Sequence, residues 1–325
     1  MATLVAVGFV LAGLVLLAGG GEALVRGAAA LARLAGLPPA VIGLTVVAVG
    51  TSLPELVVSV LAALEHQPDI AVANVVGSNI FNLLGVLGVT ALITVLPVHG
   101  TAVRIEWPFM FVVSFLTFLL ARDGALDRLE GGFLLVSFGF FTAFMVRLAR
   151  REVQPDEAVS LAFEVERRSI RPRHRHLLLS LGAVVLGLGL LIAGGRLLVA
   201  GAVTLARLAG VSERVIGLTV VAAGTSMPEV AASVVAALRR HTDVAVANLL
   251  GSNIFNLLGI LGVTALVRPV PVAPALLDSD LPWMLAGSLL VFPLLRSGMK
   301  VTRVEGVALL VLYGVFLARL LARGP

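Results

Sequence analysis

A stretch of 53 residues occurs twice in this chain. The segment from Val41 to Ile93, VIGLTVVAVGTSLPELVVSVLAALEHQPDIAVANVVGSNIFNLLGVLGVTALI, aligns without a gap on Val215 to Val267. The offset is 174, and roughly 38 of the 53 positions are identical. A weaker match runs back from there, ALARLAG against TLARLAG. Such a chain is two halves of one design, and its fold has to bring two equivalent units together.

Hydropathy says what the units are made of. The chain is 59% hydrophobic and 13% charged, with a mean hydropathy of +1.06. Soluble domains carry about a quarter charged residues. Apolar runs of about 18 residues or more recur along most of the length, as in a bundle of transmembrane helices. The runs predict helices over 3–35, 40–65, 69–95, 103–121 and 130–149 in the first half. In the second half they predict 177–209, 214–239, 243–267, 276–296 and 303–322. Five helices is an odd number, so the second half must enter the membrane from the opposite side. The expected fold is therefore an all-α membrane protein of ten helices in two inverted five-helix repeats, the plan of many secondary transporters. Residues 1–149 and 177–325 form the repeats, joined by a basic linker over 150–176. The opening MATLVAVGFVLAGLVLLAGGG lacks the basic region and cleavage site of a signal peptide and reads as the first membrane helix.

Charge sets the expected orientation. The densest basic stretch, with RLARREV and ERRSIRPRHRH, lies within 147–176 and belongs in the cytoplasm, which leaves both termini outside. The loop after the second helix reads EHQPD, and its repeat mate reads RRHTD. That difference has the sign inversion demands. The linker is polar, with room for a short interfacial helix around DEAVSLAFEVERR. The net charge of +5 comes mostly from arginines in short loops, so it orients helices and does not mark a nucleic-acid partner. The expected setting is the cell's inner (plasma) membrane, with the lipid bilayer as partner. There is no cysteine, so disulfides, thiolate metal sites and cysteine nucleophiles are excluded.

The repeat places GTSLPE at 50–55 and GTSMPE at 224–229, deep inside apolar runs. A carboxylate at the bilayer centre costs about 2.5–3.5 kcal/mol on insertion scales. Two at equivalent positions call for a function, although a protonated glutamate bonded between helices, or a salt bridge, is the structural alternative. Pro54 and Pro228 remove a backbone donor and clash with the carbonyls of Gly50 and Gly224. Breaks are expected there, freeing carbonyls over 47–50 and 221–224. Freed backbone at this depth is tolerated where it is buried in protein or lines a watery cavity. A kink used for packing is the alternative. Thr51, Ser52, Thr225 and Ser226 add hydroxyls beside each break.

GSNIFNLLG stands at 77–85 and again at 251–259. Ser78 and Asn82 share a helix face, as do Ser252 and Asn256. Asn79 and Asn253 point elsewhere and are expected to cap or bridge backbone. The clusters could instead be packing glue between helices, with their glycines allowing close approach. Together the second, third, seventh and eighth helices would gather two carboxylates, amide oxygens, hydroxyls and carbonyls. All are hard oxygen ligands, suited to Ca2+, with its about six to eight oxygens, and to Na+. Mg2+ dehydrates reluctantly and fits less well. Two ionised glutamates balance one Ca2+, two Na+ or two protons. Such a site resists crossing empty in a low dielectric, which is the electrostatic basis of obligatory antiport.

The paired GTSLPE/GSNIFN and GTSMPE/GSNIFN motifs resemble the α-repeats of the sodium/calcium exchangers, within the Ca2+/cation antiporter superfamily. The resemblance implies ten helices, with the second, third, seventh and eighth broken near the midplane, and long first and sixth helices that slide to alternate access. It implies that Glu55 and Glu229 ligate Ca2+ and Na+. Thr51, Ser52, Thr225 and Ser226, with the carbonyls of Ala48 and Ala222, would complete the Na+ sites, and Ser78, Asn82 and Ser252 would line the centre. It implies a monomeric transporter that needs no cofactor. Archaeal-type relatives carry an aspartate where this chain has Asn256, which leaves the ion ratio open and admits H+ or K+ in the cycle. The expected function is Ca2+/Na+ antiport, with a Ca2+/H+ antiporter as the alternative. A cation channel and an intramembrane enzyme fit less well: inverted duplication suits a carrier, no HExxH motif is present, and all five histidines fall in loops or at helix ends.

Overall fold

In the computed structural model the described residues are 2–34, 48–98, 100–152, 173–238 and 242–322. The expected interfacial helix near DEAVSLAFEVERR lies outside them, as does the start of the second predicted helix. Among the described residues eight helices are long and apolar enough to cross a membrane. A ninth span is counted if the bent pair Glu213–Thr225 and Met227–Val234 is taken as one. Leu53–Leu64 is a shorter apolar helix in the equivalent place of the first half. The helices flanking the linker reach into it, to Glu152 and from Arg173.

The spans differ sharply in burial. In Pro68–Ile93 and Ala245–Val267, 78% of the most apolar window is buried, against 11–33% in the other six. These two spans are the centre of the bundle. Outer helices show large apolar side chains such as Leu4, Val15, Phe140 and Leu178 on the surface, as lipid-facing helices do.

The two expected breaks in these central spans are not breaks. Each span runs through, with one π-helical segment, Phe81–Val86 or Asn256–Ile260. A π turn holds an extra residue and leaves the ladder locally imperfect. Just beyond each segment a threonine hydroxyl bonds back one turn: Thr90 Oγ1 donates to the Val86 carbonyl at 2.6 Å, and Thr264 Oγ1 to that of Ile260 at 2.7 Å.

The proline-bearing spans do break. The helix Ala48–Thr51 stops and Leu53–Leu64 restarts, leaving Ser52 between them with φ −90° and ψ 12°. In the second half Ala222–Thr225 and Met227–Leu238 flank Ser226, and the axis bends by 42°. The missing N–H and ring clash at Pro54 and Pro228 account for the interruption.

Ala2–Leu34 packs antiparallel on Arg173–Ala209 along a seam of small residues. Ala6, Gly13, Gly20 and Gly27 recur every seven residues, as do Ser180, Gly187, Gly194 and Gly201. A Cβ added at Gly13 would lie 2.8 Å from the Gly194 carbonyl oxygen, and one at Gly20 would lie 2.9 Å from that of Gly187. Gly27 meets Ser180, and Gly201 meets Ala6, in the same way.

Short strand pairs tie the halves together. β1 (Leu96–Pro97) pairs antiparallel with β4 (Lys300–Val301), and β2 (Ala125–Leu126) with β3 (Val270–Pro271). Each pair joins a loop that follows a central span to a loop of the other half. The helices that follow β2 and β4 open with capping boxes, Asp127 with Glu130 and Thr302 with Glu305, which satisfy orphan N–H groups at the helix start.

Candidate ion-binding site

The one-residue interruptions at Ser52 and Ser226 release two serine side chains from the helical grid. Each reaches across to the opposite half. Ser52 Oγ donates to Glu229 Oε1 at 2.6 Å, and Ser226 Oγ donates to Glu55 Oε1 at 2.8 Å. The exchange is reciprocal, as expected if the two motifs face each other. Both glutamates are 0% exposed, and their charges act on one another. Thr51 and Ser252 also face the Glu229 carboxyl, and Thr225 faces that of Glu55. Ser252 Oγ is 3.3 Å from Ser52 Oγ, and Ser78 Oγ is 3.4 Å from the Ala222 carbonyl oxygen.

The second ring of polar groups is built from amides. Asn82 Nδ2 donates to Asn253 Oδ1 at 3.2 Å, and Asn256 Nδ2 donates to Asn79 Oδ1 at 3.1 Å. This corrects the reading of Asn79 and Asn253 as backbone caps. Both bond side chains of the other half, because the two central spans pack against each other there.

The buried side-chain oxygens without a donor among the described residues include Glu55 Oε2, Glu229 Oε2, Asn82 Oδ1 and Asn256 Oδ1. They form two equivalent pairs, one carboxylate and one amide from each half. A buried polar atom without a partner costs about 1–3 kcal/mol, more when charged. Such acceptors can be satisfied by a cation or, at a carboxyl, by a proton. A further buried acceptor without a donor, Glu106 Oε2, lies one turn before Met110. By the repeat Glu106 corresponds to Asp280. Asp280 is held by Arg214 at 2.5 Å across a buried ion pair, whereas the position equivalent to Arg214 is Ala40.

Thus Glu55, Glu229, Ser52, Ser226, Thr51, Thr225, Ser78, Ser252, Asn82 and Asn256 are brought to one buried region. The carbonyl of Ala222 was expected to be freed, and it is not. It accepts from Ser226 N at 3.1 Å, so the interruption leaves that helical bond in place. Ala48 begins the described part of its helix.

One central residue went unread in the sequence. Asn74 Nδ2 donates to Ser59 Oγ at 2.9 Å and to the Glu55 carbonyl at 3.3 Å, while Asn74 Oδ1 accepts from Thr225 Oγ1 at 3.1 Å. The signal was available: Asn74, Ser78 and Asn82 follow at intervals of four on one helix face.

A family model described as sodium/calcium exchanger protein matches residues 5–147 and 179–322. The chain belongs to the sodium/calcium exchanger family. It is a multi-pass membrane antiporter of that family, and several of its relatives are named as exchangers or antiporters. A protein of Alkalimonas amylolytica named as the antiporter CaxA is 40% identical over 314 residues, covering 95% of this chain and 97% of its own length. The inner membrane protein YrbG of Escherichia coli is 37% identical over 324 residues, covering 99% and 98%. Among solved structures, the sodium-calcium exchanger NCX_Mj soaked with Na+ and Sr2+ superposes with a TM-score of 0.66 at 29% identity, over 97% of this chain and 98% of that one.

Proposed function

We propose that this exchanger carries Ca2+ against Na+ by alternating access at the site between Glu55 and Glu229. The observation that carries the reading is the set of four donorless acceptor oxygens, two from each half, buried between the central spans. All are hard oxygen atoms, the ligand type Ca2+ and Na+ take. In this reading Glu55 Oε2, Glu229 Oε2, Asn82 Oδ1 and Asn256 Oδ1 face the ion. Ser52, Ser226, Thr51, Thr225, Ser78 and Ser252 complete its polar lining, with the carbonyls of Ala48 and Ala222 as further candidates for Na+. The halves 1–149 and 177–325 act as inverted five-helix repeats of a ten-helix monomer in the inner membrane. The 150–176 segment is cytoplasmic and the termini are outside.

An empty site would hold two uncompensated carboxylates in a low dielectric, at a cost of several kcal/mol per ion. One load must therefore replace another before the site turns. Two protons balance the glutamates as well as two Na+ do, and Asn256 supplies no third charge, which favours Ca2+/H+ exchange as the second reading. The test is 45Ca2+ uptake into proteoliposomes under a Na+ gradient at fixed pH, and separately under a pH gradient without Na+. Uptake is expected to follow the Na+ gradient, and uptake driven by the pH gradient alone would replace the first reading by the second. Glu55→Gln and Glu229→Gln are each expected to lower exchange at least about a hundredfold, the scale of about 3 kcal/mol. Full exchange in either variant would remove the glutamates from the site.

A further inference from the structure

We propose that Met110 and Met284 orient the two site amides, each through an asparagine of the opposite half. The proposal rests on the ion site described above. Asn253 Nδ2 donates to Met110 Sδ at 3.7 Å, and Asn253 Oδ1 accepts from Asn82 Nδ2 at 3.2 Å. The other half repeats the chain. Asn79 Nδ2 donates to Met284 Sδ at 3.7 Å, and Asn79 Oδ1 accepts from Asn256 Nδ2 at 3.1 Å. All six residues are at most 1% exposed.

An asparagine amide can turn over, exchanging its oxygen for its NH2, whenever its neighbours can exchange donor and acceptor roles. A thioether has no hydrogen to give, so it can only accept. Met110 therefore fixes the NH2 of Asn253 toward itself, which turns the Asn253 oxygen toward Asn82. That oxygen in turn demands the NH2 of Asn82, and the Asn82 oxygen is left without a donor. Met284 acts on Asn256 through Asn79 by the same steps. The relay holds oxygen at the ion position, where a turned amide would present N–H groups and repel a cation. Methionine is often a gap-filler in cores. Here the property used is a sulfur that accepts and cannot donate, and leucine, of similar size, offers no acceptor.

The test is a double-mutant cycle between Met284 and Asn256. In the otherwise unaltered protein Met284→Leu is expected to raise the half-saturating Ca2+ concentration about fivefold, the scale of one net hydrogen bond. The effect on half-saturation should exceed that on maximal rate. In the Asn256→Asp background both side-chain ends are oxygen, so nothing remains to orient. Asn79 would then turn its NH2 to the carboxylate and its oxygen to the sulfur, and Met284→Leu should leave half-saturation unchanged or lower it. Where exchange is too slow to read, the Ca2+-dependent shift in melting temperature of the purified protein gives the same comparison. Equal losses in both backgrounds, or no loss in either, would overturn the relay. Undiminished Ca2+ binding in Glu55→Gln would instead overturn the site itself.

Discussion

At the scale of single residues, the repeat gives each polar group a twin, and the twins are not always used alike. Asn74 and Asn248 are equivalent in sequence. Asn74 is buried and bonds Ser59, Glu55 and Thr225, whereas Asn248 is half-buried with Nδ2 unpartnered, and Ser233, the twin of Ser59, has a free hydroxyl. Asn74→Ala removes one side of a bonded, buried set and should cost about 2 kcal/mol, while Asn248→Ala should cost less than about 1 kcal/mol. Melting of the two purified variants compares them, and equal losses would mean that the Asn74 bonds carry no net stability. That the glutamates, serines and threonines of the two motifs would lie buried together was legible in the sequence, because each stands in an apolar run where its cost is plain. Asn79 and Asn253 were misread for a physical reason. A helical wheel turns them away from Ser78 and Ser252, but it does not show that the other half's central span packs on that face. Asn74 was missed because it lies outside the glycine-flanked motif, although it shares the face of Ser78.

At the scale of elements, the sequence located the described spans to within a few residues, since apolar length and loop charge are strong signals. Its errors concern how a helix yields. Proline breaks were legible from the missing N–H. The π segments of the central spans were not, since an extra residue in a turn leaves no composition signal. The heptad of small residues on the first and sixth long helices could have been read, and it has a testable consequence. Glycine in a helix interior is ordinarily destabilising by about 0.5–1 kcal/mol relative to alanine. Gly19 has no atom within 4 Å of an added Cβ, whereas at Gly20 that atom would stand 2.8 Å from Leu191 N. The neighbouring substitutions should therefore act in opposite directions. Gly19→Ala is expected to raise the melting temperature slightly, and Gly20→Ala to lower it by the equivalent of about 1–3 kcal/mol of overpacking. If Gly20→Ala stabilised as Gly19→Ala does, the long helices would not be in backbone contact.

At the scale of the whole molecule, the halves interlock at every level. Strands β1 and β4, and β2 and β3, join their loops; Ser52 and Ser226 bond the opposite glutamates; and the amides cross between the central spans. In the proposed reading the ion site is shared equally, so its charge follows from counting. Glu55 and Glu229 supply two negative charges, and Asn82 and Asn256 supply none. One Ca2+ neutralises the site, and so do two Na+ or two protons. If each load leaves the site neutral, a full exchange cycle moves no net charge, whichever counter-ion is used. Membrane potential then has nothing to act on. A single charge carried per cycle would couple to the potential at about 2.3 kcal/mol per 100 mV, a shift of about fiftyfold in the Ca2+ gradient at equilibrium. Proteoliposomes held at 0 and −100 mV by a potassium diffusion potential, with equal ion gradients, should therefore reach the same Ca2+ accumulation. Asn256→Asp adds a third carboxylate to the same pocket and room for a third monovalent charge, so its accumulation should become strongly potential-dependent. A large potential dependence in the unaltered protein would mean that a charge outside the two glutamates travels with the load, and Glu106, buried one turn from Met110 with a donorless oxygen, would be the first side chain to substitute.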